Sequence, residues 1–200
     1  KYKLKKKIFG GAPIGAEMGL NDIFIMINDI IQIRELNEND INNIFNIMQQ
    51  AGIGINDRSP YNGMTLLHFA CARNIELLLI ETLNHGANPN TFNNIGVSAA
   101  HHLIEDDNEN LLNILLQNNL NPNLQDGDGT SLLLQAISEL TPANLDNINM
   151  NIVLSLLNNG ANVLLMNNNG ISPVNYTELI SFELNQIFLD FHNAQVNNND

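Results

Sequence analysis

The stretch Thr65-Leu-Leu-His-Phe-Ala70 recurs 33 residues later as Ser98-Ala-Ala-His-His-Leu103. At the same offset Gly86-Ala-Asn-Pro-Asn90 returns as Asn119-Leu-Asn-Pro-Asn123, and Gly63, Gly96 and Gly129 keep the same spacing. A third copy opens at Gly129-Thr-Ser-Leu-Leu-Leu-Gln-Ala136, but its closing turn, Asn159-Gly-Ala-Asn162, arrives eight residues late. A fourth opens at Asn169-Gly-Ile-Ser-Pro173 and fades after Phe191. Upstream, Gln50-Ala-Gly-Ile-Gly-Ile-Asn56 is one more closing turn, with Gly52 placed 34 residues before Gly86. A fixed period of this length marks units that cannot bury their apolar faces alone and must stack.

The residues within each copy have local reasons. Thr65, Ser98, Ser131 and Ser172 each precede an apolar run, where a hydroxyl caps the first free N–H groups of a helix. Pro173 follows as a first-turn proline, whose missing N–H costs nothing there. A short helix is predicted to about Arg73 and a second from about Ile75 to Asn84. That second helix, Ile75-Glu-Leu-Leu-Leu-Ile80, is apolar nearly all round and needs cover on more than one side. Gly52, Gly86 and Gly160 end helices where a left-handed residue is wanted, and Asn119 takes that place in the second copy.

The helix start and the Gly-Ala-x-x-Asn turn together resemble the ankyrin repeat, directly over 62–193 and as a partial, cap-like unit over about 38–61. The match is weaker where Leu134 and Asn175 stand in place of the histidine. The resemblance implies an all-α ankyrin-repeat solenoid of helix-turn-helix units joined by β-hairpin-like finger loops. The organisation expected is a basic, glycine-rich lead-in (1–20), a divergent helical cap (21–61), four repeats and a polar tail (194–200). The repeats span 62–93, 94–126, 127–167 and 168–193. The third carries an insertion over 139–149, placed to project from the end opposite the fingers.

Composition narrows the function. The chain has 21 acidic residues, eight lysines and arginines, and 38 asparagines among 200 residues. Five of the eight cations are lysines within the first seven positions; only Arg34, Arg58 and Arg73 follow. Residues 8–200 thus set three arginines against all 21 acids, too few to neutralise a run of phosphates. Nucleic acid and anionic membranes are therefore excluded as partners of the folded part. No apolar run reaches the ~18 residues of a membrane span. Cys71, the lone cysteine, excludes an intrachain disulfide and fits a reducing compartment.

Several motifs invite chemistry. His68 beside Cys71 suggests a thiol nucleophile, but no third, orienting group accompanies them. His68 and His101 recur at one repeat position, and the resemblance implies that they tie down their own turns rather than bind zinc. Asp126-Gly-Asp128-Gly129 fails the calcium-loop register, because Leu124 would fall at position 1. The glycines from Gly10 to Gly19 lack the lysine of a phosphate cradle. Lys5-Lys6-Lys7 reads as a solvated tail, with a targeting signal as the alternative. Glu105-Asp106-Asp107-Asn-Glu109 reads as a solvated corner that could meet a basic partner. No catalytic, cofactor or metal site is expected.

What remains is an interaction surface. The resemblance places the partner in a groove of fingers and first helices, at positions the repeat itself does not require. Those positions hold Tyr61, Met64, Phe92, Ile95, Val97, Asp126, Asp128 and Thr130, with Phe69, Arg73 and His102 on the first-helix faces. Phe92 and Ile95 rank first, since a finger has little core for an apolar side chain to join. Leu165 and Met166 follow. The chain is expected to be a monomeric, non-enzymatic module binding another protein. The context expected is a secreted effector of an intracellular bacterium in a host cytosol, from the Asn- and Ile-rich, lysine-poor usage. The alternatives are a resident eukaryotic scaffold, located in the cytoplasm, and the substrate-recruiting half of a larger enzyme.

Overall fold

The computed structural model describes residues 18–138 and 150–197. The lead-in to residue 17, the 139–149 insertion and the last three residues of the polar tail lie outside that range. The chain divides at Asn88–Pro89 into two compact units, and among the described residues the regular elements of each are all helices.

The first unit contains α1 (Leu20–Ile31), α2 (Glu38–Ala51), α3 (Leu66–Ala72) and α4 (Glu76–Asn84). Helix α1 buries Leu20, Ile23, Phe24, Ile27 and Ile30, the three-and-four spacing of one helical face. Asn37 caps α2 by accepting from the N–H groups of Asn39 and Asp40, while Asp40 accepts from the N–H of Asn37. The Arg34 guanidinium grips the same carboxylate with two bonds of 2.5 and 2.8 Å and holds its pKa below the usual value. Gly52 then ends α2 at φ 69°. Helices α3 and α4 form a pair; α1 packs on α3, and α2 packs on α4. Ile23, Ile44, Leu66, Leu67, Cys71, Leu78 and Leu79 are wholly or almost wholly buried between them.

The second unit contains α5 (Ala99–Glu105), α6 (Glu109–Gln117), α7 (Leu132–Ile137), α8 (Met150–Asn158), α9 (Pro173–Ile180) and α10 (Phe182–Asn197). These form three consecutive pairs. First helices pack on first helices (α5 on α7, α7 on α9), and the second helices α6 and α8 pack on each other. Leu103, Leu112, Leu115, Leu132, Ile137, Val153 and Leu156 fill the space between layers. The residues that close second helices are left-handed as the sequence predicts, Gly86 in the first unit at φ 85° and Asn119 and Gly160 in the second at 65° and 88°.

One asparagine per copy reaches into the next copy's turn. In the first unit, Asn56 accepts from the N–H of Asn88 (2.8 Å) and donates to the carbonyl of Gly86 (3.1 Å). In the second, Asn90 does the same with Asn121 N–H and Asn119 carbonyl, and Asn123 with Asn162 N–H and Gly160 carbonyl. A primary amide suits this place because it offers one donor and one acceptor side by side.

Candidate functional site

Three fingertips of the second unit share one construction. The Oδ1 of Asn93 accepts from the N–H groups of Ile95 and Val97. Asp126 Oδ1 does so for Asp128 and Thr130, and Asn167 Oδ1 for Asn169 and Ile171. Backbone bonds Asn93 N–H to Val97 O, Asp126 N–H to Thr130 O and Asn167 N–H to Ile171 O close the loops. Isolated bridges join Phe92 to Ser98 and Gln125 to Ser131. The Asp126 carboxylate is thus engaged in shaping its own turn. Successive tips are also tied together, by Asn168 N–H to Asp128 O (3.0 Å) and Gln125 Nε2 to Met166 O (2.9 Å).

On these tips Ile95 is 75% exposed and Met166 58%; Asp128 is exposed, while Phe92, Val97, Thr130 and Leu165 are half-buried. Leu164 and Ile171 are also exposed, and the sequence reading passed over both. In the first unit Ser59 N–H bonds Met64 O, and Tyr61 stands 81% exposed beside the half-buried Met64.

Phe69 departs from its expected place on an open face. It is only 5% exposed and stacks on Phe24 of α1, with ring centroids 4.5 Å apart and planes 11° from parallel. Helix α1 covers the α3 face, so Phe69 belongs to the core. Arg73 stays exposed, with its guanidinium carbon 5.8 Å from the Phe69 ring centroid.

The repeated histidine is a cap component. His68 Nδ1 accepts from the Thr65 N–H (3.3 Å) and lies 2.9 Å from the Thr65 hydroxyl. His101 Nδ1 accepts from the Ser98 N–H and lies 2.7 Å from the Ser98 hydroxyl. An accepting Nδ1 puts the ring proton on Nε2, which in His101 points at the carbonyl of Thr130, 3.4 Å away. Burial lowers the pKa of His101 and keeps the ring neutral. With Nδ1 so engaged, neither ring offers that nitrogen to a metal. At one of the two positions without the histidine, Asn175 Oδ1 takes over by accepting from the Ser172 hydroxyl at 2.6 Å; Leu134, at the other, has no polar side-chain atom to do so. Next to His101, His102 is half-buried with its Nε2 enclosed; burial lowers its pKa, against the pull of Glu105 and Asp106.

Residues 33–126 match the family model for ankyrin repeats, in three copies. These residues are ankyrin repeats. A comparison with curated proteins finds no match. A solved ankyrin repeat domain from Acinetobacter baumannii AYE is similar at 24% identity, with a TM-score of 0.64 over 86% of this chain and 94% of that one. That likeness extends the ankyrin fold beyond the family match, and the all-α repeat class expected from the sequence is the one observed. Ankyrin repeats serve in general as non-catalytic modules for contact between proteins. The family match begins upstream of α2, so the partial unit near 38–61 falls inside it.

Within this ankyrin frame Cys71 is packing. Its side chain is fully buried, and burial pushes the thiol pKa far up, the reverse of an activated nucleophile. Among the described residues no group of three or more His, Cys, Asp or Glu side chains is placed to hold a metal, and no helix is long and apolar enough to cross a membrane. The sequence reading missed an open cleft of about 510 Å³ in the first unit. Phe45, stacked on His85 at 4.0 Å, Met48, Ile53 and Ile55 line it, with amides from Asn42, Asn46 and Gln49 at its edge. Phe45 repeats no motif, so only the fold could reveal it.

Proposed function

We propose that this chain is a non-catalytic adaptor that binds a partner protein through its finger tips and the adjoining first-helix residues. The observation that carries the reading is Ile95, a large aliphatic side chain held out to solvent on a tip that hydrogen bonds make rigid. A pre-ordered apolar group loses little entropy on binding and makes an effective anchor. In the second unit Val97, His102, Asp128 and Thr130 extend the surface. Phe92 flanks it, half-buried, and Asp126 contributes mainly by shaping the tip. In the first unit the exposed Tyr61 and Arg73 and the half-buried Met64 are the residues assigned to contact. Phe69 has no part in it.

Affinity capture from a eukaryotic lysate tests this, comparing the wild type with Phe92→Asp plus Ile95→Asp. The wild type should retain at least one protein that the double variant loses. Identical captured sets would remove the finger assignment. The acidic tips favour a partner with a basic surface, so retention should fall as salt rises.

The same proposal includes a working place, a host cell entered by secretion from a bacterium. Its support is the absence of lysine after Lys7 in a chain otherwise written with Asn and Ile. A body without lysine offers no ubiquitin acceptor and would persist in a eukaryotic cytosol. Lysines grafted onto exposed loops should shorten its half-life there, and an unchanged half-life would count against this setting.

A further inference from the structure

Helix α10 breaks the pattern of the other second helices. Helices α4, α6 and α8 have nine residues each. Ten positions after each one starts comes its left-handed residue, Gly86, Asn119 or Gly160. The corresponding residue of α10 is His192, which is helical, and the helix continues to Asn197 for a total of 16 residues. The extra seven residues carry it roughly 10 Å further at ~1.5 Å per residue. The left-handed turn that in the other copies receives the preceding copy's asparagine amide is therefore absent here, so α10 does not end as the other second helices do.

The outward face of α10 nevertheless carries an apolar line. Leu184 and Phe188 are buried. On the opposite side Phe182, Gln186, Leu189, Asn193 and Val196 follow at alternating steps of four and three, which is one straight row on a helix. Phe182, Leu189 and Val196, seven apart, are 81, 37 and 48% exposed. Glu183 and Asp190, also seven apart and exposed, run along one flank. Throughout residues 89–200 there are twelve acidic residues and no lysine or arginine.

We propose that this row docks one amphipathic helix of a partner protein, apolar along the contact line and carrying Lys or Arg opposite Glu183 and Asp190. Charge decides among the possible occupants. A second copy of α10 would bring Glu183 and Asp190 again with no lysine or arginine to meet them, and flanking like charges oppose such pairing. An anionic lipid surface is repelled by the same carboxylates. A cationic helix gains apolar burial and relieves an unbalanced field. This surface is separate from the finger tips, so either can fail without the other.

The test uses the full chain and two labelled designed peptides of about three heptads, identical except for lysine or glutamate at the flanking positions. The lysine peptide should bind, weakening as salt rises, and the glutamate twin should bind at least ~10-fold less tightly. Leu189→Asp should weaken the lysine peptide by ~10-fold or more. Glu183→Lys with Asp190→Lys should invert the preference, a result that a loss of folding cannot produce. The proposal fails if both peptides bind alike, if neither binds, or if the preference survives charge reversal. It also fails if sedimentation finds a dimer that Leu189→Asp dissolves, or if anionic vesicles bind the chain through this row.

Discussion

Phe69 and Ile95 are both large apolar residues that the repeat does not demand, and they meet opposite fates. Phe69 lies against Phe24 and almost out of reach of water, whereas Ile95 tops a hydrogen-bonded loop. In urea unfolding, Phe69→Ala should cost about 3–5 kcal/mol, the usual loss for a buried aromatic. Ile95→Asp should stay within about 0.5 kcal/mol of the wild type, as an exposed site does. If the costs came out reversed, the assignment of core and surface would be wrong. Gly96 is constrained twice. Its φ is 79°, and a Cβ there would lie 2.8 Å from the backbone nitrogen of Gly127 on the next tip. Left-handed strain alone costs about 1–2 kcal/mol, and the close approach adds to it. Gly96→Ala should therefore lose about 2 kcal/mol or more on the same measurement. A loss well below that would mean the two tips are not held so closely.

At the scale of elements, the helices were legible because their signals are local. A hydroxyl before an apolar run, a histidine or asparagine three residues on and a glycine after the last turn act within about four positions. All four hydroxyl N-caps stand where the sequence places them, and Asn175 substitutes for the histidine in the bond to its capping serine. The asparagine links were legible only as an excess of one residue type. Their bonds join residues 29 to 39 positions apart in the second unit, beyond the reach of any local pattern. Asn123→Asp replaces the Nδ2 donor with an oxygen facing the Gly160 carbonyl, now unpaired and like in charge. We expect a loss of about 1–3 kcal/mol. Asn159→Asp, whose side chain bonds within its own helix end, should cost less. Equal melting of the two variants would deny the link its role.

At the scale of the molecule, two histidines give stability a pH dependence of known sign. Burial lowers the pKa values of His101 and His102 below 6.5, so the unfolded chain takes up protons that the fold refuses. Their contribution is complete above about pH 6.5 and is lost as pH falls toward the folded values. Acidification also relieves the repulsion of an acidic chain, so the comparison must be with His101→Gln plus His102→Gln. Between pH 7.5 and 5.5 the wild type should lose more melting temperature than the double variant; matching slopes would refute the linkage. By itself the sequence determined the period, the caps, the left-handed turns and the acidic, lysine-poor character, because each depends on residues near in the chain or on simple counting. Only the tertiary structure decided that Phe69 is core, that Asp126 serves its own turn and that α10 leaves an apolar row uncovered. Burial depends on what lies across from a side chain, and for Phe69 that is a ring 45 residues earlier in the chain.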